Sequence, residues 1–575
     1  MYKLLIVLII FFPSFLFAQT FLTKYERSGK KETPTYHEII AWWKQLDQAA
    51  PNMIMQAIGP TDAGFPLHLI LLNNEKDFSV SSIKRKNKRI IFINNGIHPG
   101  EPDGIDASML LVRDIVTGKK KLPANVVLAI IPVYNIGGCL NRSENYRVDQ
   151  NGPVAFGFRG NSQNLDLNRD FIKNDSKEAT TFAEIFHMLD PDVFVDNHVS
   201  NGADYQHVMT LLTSQHNKLG GEMGQYLNQS FEPGLYDLMK KKGYDLVPYV
   251  SFSGGSPDNG LTAYFDGPRY SSGYASLWHT FAFVPETHML KPYDQRVAST
   301  YALMECFIDF TQTNREKIKI LRENAKKAVR VQPEFPVGWT LDRTKNSTVF
   351  YKGYESGRKP SLVSGMSRLY YDRSKPFEKE VKYLNTYVPR QMVKKPSAYI
   401  IPQGWWKVIE LLNINNVQMK TLARDTVVEV QVYTITDYQT SPRSYEMHHL
   451  NSKVLVSSSM QKLLFRKGDI LVPMNQEANR FLTEVLEPQG DDSYFAWNFF
   501  DGILGQKEGY SSYAFEEIAA EYLEKNPEVR AKLGERRKTD TAFAKSGSAQ
   551  LDFVYKNSEY YEPGHMRYPV YRIMK

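Results

Sequence analysis

Cysteine is almost absent from this 575-residue chain, which contains only Cys139 and Cys306. Two thiols are too few for a disulfide framework or a thiolate metal site. They could form one bridge, but we expect two buried, unpaired side chains. The excess of positive over negative charge is also small: the net charge is +7 for this length, and it is spread along the chain. We therefore expect no nucleic-acid partner.

Long apolar runs are confined to the N-terminus. In MYKLLIVLIIFFPSFLFAQT, Lys3 precedes an apolar stretch over residues 4–17, and Ala18 is followed by polar sequence. This order is typical of a secretory signal peptide, here residues 1–18. A membrane anchor is the alternative, but the stretch is shorter than the ~20 residues that span a bilayer, and it contains Pro13. No later segment has the length and apolarity of a membrane span. Because of the signal peptide, we expect an exported protein, periplasmic or secreted.

The length of the chain predicts more than one domain, because a single hydrophobic core stops growing at about 250–300 residues. Strand-like and helix-like segments alternate from about residue 36 to residue 310, which indicates an α/β domain with a mixed or mostly parallel sheet. We predict an N-terminal α/β domain over residues 19–330 and a C-terminal domain over residues 331–575, itself α/β or α+β. The C-terminal part carries no catalytic signature, so we expect a structural or substrate-shaping role for it. The sequence specifies no oligomeric state.

Apolar periodicity and turn residues define the elements of this alternation. The predicted strands cover residues 89–95, 125–133, 192–198 and 281–288, and the predicted helices cover residues 102–118 and 176–190. In the C-terminal part, we predict strand, helix and strand over 397–422, a strand over 425–435 and a charged helical stretch over 513–537.

The motif NNGIHPGEPDG, residues 94–104, places His98 and Glu101 three positions apart at the end of a predicted strand. An HxxE pair occurs by chance in many proteins, so it indicates a metal site only if further ligands lie nearby. In open α/β sheets, ligands bind beyond the carboxyl ends of the strands. His198 and Glu286 end two other predicted strands, DVFVDNH and FAFVPE, so these side chains can converge in space.

A second motif, FRGNSQNLDLNRDF, lies in a polar loop over residues 158–171. An arginine guanidinium binds a carboxylate through two hydrogen bonds, and a neighbouring asparagine amide can add a third, as Asn168 and Arg169 could. The simpler alternative pairs Arg169 with a surface aspartate. Likewise, His198 could be a satisfied core histidine, and Glu286 could belong to a buried ion pair.

Together, and in this order, the motifs resemble the zinc carboxypeptidase family, the carboxypeptidase A-like metallopeptidases. The resemblance covers about residues 36–310. HxxE alone is a weak signal, whereas HxxE followed by DxNR, a histidine and a glutamate is specific. The serine that closely follows the third ligand in the family stands one place late here, at Ser200. The matching residues are the metal ligands His98, Glu101 and His198, the stretch Asp166, Asn168 and Arg169, and the catalytic Glu286.

This resemblance implies one Zn²⁺ per chain, bound by two nitrogens and one carboxylate with a fourth position open to water, as in catalytic zinc sites. It implies that Glu286 takes a proton from the metal-activated water and later delivers it to the leaving amine. Asp166 would accept the spare N–H of a ligand histidine. Arg159 would stabilise the oxyanion of the attacked carbonyl, although Arg142 and Arg147 lie in the same loop.

The resemblance also implies that Asn168 and Arg169 hold the free C-terminal carboxylate of a peptide, which makes the reaction an exo-cleavage. The family has a mobile tyrosine some twenty residues before the catalytic glutamate. Tyr270 is our preferred match, because its segment lies nearer to that spacing; the other possibilities are Tyr249, Tyr264 and Tyr274.

The leading hypothesis is an exported zinc metallocarboxypeptidase that acts on peptides with a free C-terminus. A zinc amidohydrolase acting on peptidoglycan stem peptides or N-acyl amino acids would keep the metal chemistry and change the substrate. A non-catalytic peptide-binding module on the same fold is the alternative from another class. The presence of both zinc histidines, the zinc glutamate and Glu286 speaks against it.

Overall fold

The structure, a computed structural model, describes residues 21–250, 252 and 256–574. The predicted signal peptide, residues 1–18, lies outside the described residues. Among the described helices, none is both long and apolar enough to cross a bilayer. Cys139 and Cys306 are buried and unpaired, as expected.

The first part of the chain forms a large mixed sheet covered by helices, as predicted. Its strands, together with three short ones that pair elsewhere, are β1 (Met53–Pro60), β2 (Pro66–Leu72), β3 (Arg89–Asn94), β4 (Val126–Ile131), β5 (Arg142–Ser143), β6 (Phe156–Gly157), β7 (Val193–Asp196), β8 (His198–Ser200), β9 (Met209–Thr213), β10 (Val247–Pro248), β11 (Leu261–Thr262) and β12 (Phe281–His288). The strand order of the sheet is β1-β2-β4-β3-β7-β12-β9-β10, with β8 also paired to β12.

The central strands are buried on both faces. Ile91 and Ile93 of β3 join one hydrophobic cluster, whereas Ile90 and Phe92 join another. Because side chains alternate along a strand, these two clusters lie on opposite faces of the sheet. This double burial explains why the strands are continuous apolar runs in the sequence.

Parallel pairing brings three functional segments to one edge. β3 pairs with β7 and β7 with β12, all parallel. β12 continues beyond β7 and pairs with β8, where Glu286 lies opposite His198. The expectation that Glu286 ends its strand is therefore wrong: Glu286 lies within β12, because the strand extends to reach β8. The extension itself brings the glutamate beside the histidine.

The two helices predicted for this part of the chain, over 102–118 and 176–190, form as α4 (Asp103–Val116) and α6 (Lys177–Leu189). α2 (Tyr36–Ala49) begins at a capping box in which Thr35 and Glu38 bond each other's backbone N–H groups. Predicted helix 176–190 is α6, which starts after Ser176, an N-cap that accepts from the Ala179 N–H. The helices of this part are α1 (Lys24–Arg27), α2 (Tyr36–Ala49), α3 (Val80–Arg85), α4 (Asp103–Val116), α5 (Ile136–Leu140), α6 (Lys177–Leu189), α7 (His216–Leu219), α8 (Gly221–Tyr226), α9 (Glu232–Lys241), α10 (Ser271–Leu277), α11 (Tyr293–Thr313) and α12 (Arg315–Val331).

The start of α4, directly after the HxxE motif, is tied to its neighbours by buried polar contacts. Arg296 of α11 donates from Nε to the Asp103 carboxylate at 3.0 Å. Thr287 of β12 donates to the same carboxylate. One turn further along α4, Asp106 accepts a hydrogen bond from the Tyr293 hydroxyl. The loop that carries His98 and Glu101 is therefore held between β3 and a fixed helix start.

The remainder of the chain adds further sheets and helices. Its strands are β13 (Glu334–Leu341), β14 (Ser347–Pro360), β15 (Ser367–Leu384), β16 (Tyr387–Lys394), β17 (Ala398–Ile401), β18 (Lys420–Thr421), β19 (Thr426–Thr440), β20 (Asn451–Phe465), β21 (Ile470–Pro473) and β22 (Tyr571–Ile573). Its helices are α13 (Trp406–Ile414), α14 (Asn479–Leu486), α15 (Ser512–Lys525), α16 (Pro527–Thr539), α17 (Thr541–Ala544) and α18 (Gly547–Lys556).

The predicted strand, helix and strand over 397–422 correspond to β17, α13 and β18. The helical stretch predicted over 513–537 is broken at Asn526, because Pro527 lacks the N–H that would continue α15 and instead starts α16. Two long hairpins, β14–β15 and β19–β20, were not predicted as such.

The two predicted domains share one hydrophobic cluster. Trp278, which follows α10, packs its ring 5.2 Å from that of Phe481 in α14. Trp497 belongs to the same cluster and is completely buried. The division at residue 330 stays a prediction, but the parts on either side of it are packed together through a common core.

We expect Asp106→Asn to change how stability depends on pH. Burial raises the pKa of Asp106 to about 7, above its value of about 3.9 in an unfolded chain. The folded state therefore holds a proton that the unfolded chain releases, and this contribution to stability is lost as the pH rises from about 4 to about 7. The variant, which does not titrate, should escape a loss of up to about 1.4 kcal/mol per pH unit.

Urea unfolding of both proteins from pH 4 to pH 8 measures this effect. The free energy of unfolding of the variant, relative to the wild type, should increase across this range and then level off. A constant difference would contradict a raised pKa at Asp106.

Candidate active site

Three buried side chains form a cluster where β3 and β7 end. His98, Glu101 and His198 each bring one possible ligand atom to within 4.8 Å of the others. Only 2%, 3% and 4% of their respective surfaces are exposed. Glu101 and His198 are 97 residues apart in the chain, but parallel strands bring their segments to the same edge of the sheet.

The turn between His98 and Glu101 is tight and depends on a glycine. The Glu101 N–H donates to the His98 carbonyl at 2.8 Å, which closes the turn. A Cβ on Gly100 would lie 2.6 Å from the Arg147 side chain and 2.8 Å from the Gly157 carbonyl oxygen. Glycine at position 100 thus allows the following loop to approach the glutamate closely.

Each histidine turns one ring nitrogen to Glu101 and the other to an aspartate. For His98, Nδ1 lies 3.3 Å from Glu101 Oε1 and Nε2 lies 2.9 Å from Asp166 Oδ1. For His198, Nδ1 and Nε2 lie 3.1 Å from Glu101 Oε2 and Asp196 Oδ2, respectively. A carboxylate behind each imidazole fixes the tautomer that leaves Nδ1 free to bind a metal. The contact of Asp196 was not predicted, although Asp196 stands two residues before His198.

The cluster fits a zinc ion. His98 Nδ1 is buried and makes no hydrogen bond with any described residue, which is costly unless a further group binds it. Two imidazole nitrogens and one carboxylate are a donor set found in catalytic zinc sites. His98, Glu101 and His198 would therefore hold the ion, with Asp166 and Asp196 behind the histidines.

Glu286 faces the same cavity as the cluster. Burial raises the pKa of this carboxyl group to about 7; the nearby charge of His198 opposes the rise and that of Glu101 adds to it. The cavity has a volume of about 330 Å³, and Glu286 shares its wall with Leu212 and Val284.

Two of the three loop arginines reach the cavity. Arg147 donates from Nη1 to Glu101 Oε1 at 2.8 Å and from Nη2 to the Val199 carbonyl at 3.2 Å. Arg159 also lines the cavity, and its side chain is 47% exposed. Arg142 instead binds the carbonyl oxygens of Thr33 and Pro34, at 2.8 and 3.3 Å, and is not part of the cavity wall.

Asp166 links the metal cluster to the arginines. Its Oδ2 accepts a 2.9 Å hydrogen bond from Arg159 Nε and lies 3.8 Å from Arg169 Nη2. Although burial opposes it, the charges of His98 and Arg159 hold the pKa of Asp166 well below its usual range. Asn168 and Arg169 follow in a short 3₁₀ helix and also line the cavity.

Three of the four candidate tyrosines line the cavity: Tyr249, Tyr264 and Tyr270. Tyr274 does not, because it is completely buried and donates to Asn415 Oδ1 at 2.6 Å. The Tyr270 ring lies 4.6 Å from the guanidinium carbon of Arg169. Burial and the charges of Glu286 and Glu101, which line the same cavity, raise the pKa of Tyr249.

Comparison with known proteins agrees with this site. Residues 39–213 match the family model described as zinc carboxypeptidase. This part of the chain belongs to the zinc carboxypeptidase family. The resemblance inferred from the sequence is thereby confirmed for this part of the chain, which contains all three residues of the metal cluster. The match supports a zinc metallocarboxypeptidase with zinc as its cofactor.

Similar proteins include Carboxypeptidase 2 of Trichophyton tonsurans, 21% identical over 457 residues that cover 75% of this chain and 78% of the relative. Carboxypeptidase 2 of Trichophyton rubrum is 20% identical over the same shares. A metallo-carboxypeptidase from Burkholderia cenocepacia of known structure matches with a TM-score of 0.37 and 17% identity, over 48% of this chain and 69% of its own. Carboxypeptidase A from Helicoverpa armigera matches with a TM-score of 0.37 and 15% identity, over 51% and 74%.

We expect His198→Ala to abolish stoichiometric zinc binding, because two ligands do not make a stable zinc site. Metal analysis of the purified variant after dialysis measures this directly. His37→Ala, at an exposed histidine outside the cluster, is the matched control and should keep one zinc per chain. Full zinc content in the His198 variant would remove this residue from the ligand set.

Proposed function

We propose that this protein is an exported zinc metallocarboxypeptidase that removes the C-terminal residue from peptides. One observation carries the proposal: the metal cluster, Glu286 and Arg169 line the same cavity of about 330 Å³. A group that activates water and a group that binds a carboxylate, both facing one cavity, are what an exopeptidase requires. Export is supported by the signal-peptide pattern of residues 1–18.

Glu286 is the proposed general base. When bound, zinc acts as a Lewis acid on the attacking water and on the scissile carbonyl. Glu286 accepts a proton from that water as the oxygen attacks the carbonyl carbon. When the carbon–nitrogen bond breaks, the protonated Glu286 delivers the same proton to the departing amine.

Arg159 is the proposed partner of the oxyanion. Its Nε and Nη2 are held by Asp166 at 2.9 Å, and Nη1 lies 3.6 Å from Glu101, beyond hydrogen-bond distance. Nη1 is thus left to donate to a developing negative charge. Arg147 suits this role less, because Glu101 and Val199 already occupy both of its Nη atoms.

Asn168 and Arg169 are the proposed binding site for the C-terminal carboxylate. Asn168 Oδ1 accepts from the Ser271 N–H at 3.3 Å, so the side-chain NH₂ is left to donate to a ligand. Arg169 offers a planar guanidinium at the cavity wall, with 21% of its side chain exposed. An amide donor beside a guanidinium suits a carboxylate better than any neutral group.

The proposed catalytic phenol is Tyr249 in place of Tyr270. Tyr249 lines the same cavity as Glu286 and Glu101, and burial together with the charges of these carboxylates raises the pKa of its hydroxyl. The ring of Tyr270 supports the Arg169 guanidinium from one side, which suits substrate binding rather than proton transfer.

Peptidoglycan stem peptides and N-acyl amino acids are the alternative substrates. Both combine an amide bond with a free carboxylate, so Arg169 would bind them by the same contacts. The match of residues 39–213 to the zinc carboxypeptidase family favours peptides. A comparison of kcat/KM across the three substrate classes decides among them. A module without catalysis would have no use for a carboxyl group in the position of Glu286.

We expect Glu286→Gln to lower turnover by at least about 100-fold, the lower range for loss of a general base, with near-normal zinc content. The amide keeps the size of the side chain but cannot accept the proton of the water. Steady-state kinetics on a good peptide substrate, with metal analysis of the same sample, measures both quantities. Glu334→Gln, at an exposed position, is the control and should retain full activity. Turnover near the wild-type value would exclude Glu286 as the base.

We expect amidation of a substrate's C-terminus to remove most of its cleavage by the wild type. A hydrogen bond to a charged group contributes about 1.5–3 kcal/mol, so loss of the carboxylate should lower kcat/KM by at least about tenfold. Arg169→Ala should lower kcat/KM for the free peptide by a similar factor and leave the amidated peptide almost unchanged. The test is to measure kcat/KM for both peptides with both the wild type and the Arg169→Ala variant. Equal cleavage of the two peptides by the wild type would exclude a carboxylate-binding role for Asn168 and Arg169.

A further inference from the structure

The hairpin turn between β19 and β20 extends from the C-terminal part of the chain to the proposed carboxylate-binding residues. Tyr445 and His448 exchange backbone hydrogen bonds of 2.7 and 3.0 Å, so Glu446 and Met447 form the tip. Both tip residues have left-handed backbones, with φ of 48° and 70°. Such a two-residue turn favours Asn-Gly, and other side chains there are strained unless neighbouring contacts hold them.

Two side chains of the turn bind the DxNR motif directly. The Tyr445 hydroxyl accepts a 2.9 Å hydrogen bond from Arg169 Nε. The Glu446 carboxylate accepts a 2.9 Å hydrogen bond from the backbone N–H of Asp166. One contact thus reaches the guanidinium that faces the cavity, and the other reaches the backbone of the segment that carries it.

The turn is itself held by packed neighbours. The Tyr445 ring stacks on the buried Trp497, with ring centres 6.3 Å apart and planes at 25°. The Arg269 guanidinium lies 4.8 Å from the Trp497 ring and bonds Asp492 at 2.7 Å. His448 Nε2 lies 2.9 Å from Asp175 Oδ2, on the segment that follows the DxNR motif. The position of the Tyr445 hydroxyl is therefore determined from several sides.

We propose that Tyr445 is a positioning residue for substrate binding, through which the C-terminal part completes the active site. The inference rests on the proposed role of Arg169. Tyr445 takes Nε, the Asn168 carbonyl accepts from Nη1 at 2.8 Å, and the Tyr270 ring covers one face. The guanidinium can then turn only its remaining N–H groups towards a carboxylate in the cavity.

Tyr445→Phe tests this role, because it removes the hydroxyl and keeps the ring that stacks on Trp497. We expect KM for a peptide with a free C-terminus to rise about tenfold, the effect of one hydrogen bond to a charged group, while kcat changes less than about twofold. Cleavage of the amidated peptide, zinc content and Tm should stay at wild-type values. A merely structural role would lower Tm or affect both peptides alike.

Tyr438→Phe is the matched control. Tyr438 lies on the same hairpin and packs its ring 6.0 Å from that of Phe495, so loss of its hydroxyl should leave KM unchanged. In an Arg169→Ala background, Tyr445→Phe should have no further effect, because Tyr445 acts through Arg169. An additive tenfold effect in that background would overturn the inference.

Glu446 provides a second variant of the same turn. Glu446→Ala removes the acceptor of the Asp166 N–H and should raise KM for the free peptide. Glu446→Gln keeps a carbonyl oxygen at that position and should restore most of the affinity. Equal KM values for the wild type and the alanine variant would count against the turn as a positioning element.

The outcomes separate this inference from the proposed function. If the wild type does not distinguish free from amidated peptides, Arg169 has no carboxylate role, and both proposals are wrong. If the wild type prefers the free peptide and Tyr445→Phe keeps both KM and that preference, only the positioning role is wrong.

Discussion

The buried carboxylate of Glu101 is the constraint around which this site is built. A buried charge is unfavourable unless it is paired and hydrogen-bonded. Arg147 binds its Oε1 at 2.8 Å, and the Val199 N–H donates to its Oε2 at 2.9 Å. Although burial opposes it, Arg147 and His98 hold the pKa of Glu101 well below its usual range, so the group is ionised and ready to bind a cation.

The partners that pair with the Glu101 carboxylate also determine how the surrounding loops and strands pack. Arg147 reaches Glu101 only because Gly100 and Gly157 let two loops approach within contact distance. The N–H of Val199 is available because β8 starts beside β12, the same pairing that sets Glu286 opposite His198. One neutralised carboxylate therefore couples the metal ligands, the proposed base and the arginine loop into a single arrangement.

The sequence was sufficient to predict the mixed sheet, the helices on its faces and the convergence of His98, Glu101, His198 and Glu286. The elements follow from local apolar periodicity, and the approach of His98 to His198 follows from the rule that parallel strands present their carboxyl ends at one edge. Glu286 reaches that edge in a different way, because β12 extends past β7 to pair with β8. The order of the motifs allowed the resemblance to the zinc carboxypeptidase family to be recognised, which a single HxxE pair would not have allowed.

Contacts between residues far apart in the chain were not predictable in the same way. Nothing local in the sequence marks Tyr445 as the partner of Arg169, 276 residues away, because that contact depends on how the β19–β20 hairpin packs on Trp497. Tyr249 and Tyr270 could not be distinguished either, since spacing along an irregular loop does not determine which ring faces Glu286. The helix break at Pro527 is different, because a local residue causes it: the prediction of one helical stretch over 513–537 overlooked this proline.

The most direct test is the product pattern of the purified zinc-loaded protein on an unblocked peptide, followed by mass spectrometry over time. An exopeptidase that anchors the C-terminal carboxylate should produce a ladder of products, each shorter by one residue at the C-terminus, with the N-terminal residue intact throughout. Fragments from internal cleavage, or cleavage that proceeds equally on the C-terminally amidated peptide, would contradict a site in which Arg169 and the metal cluster act on the same terminal bond.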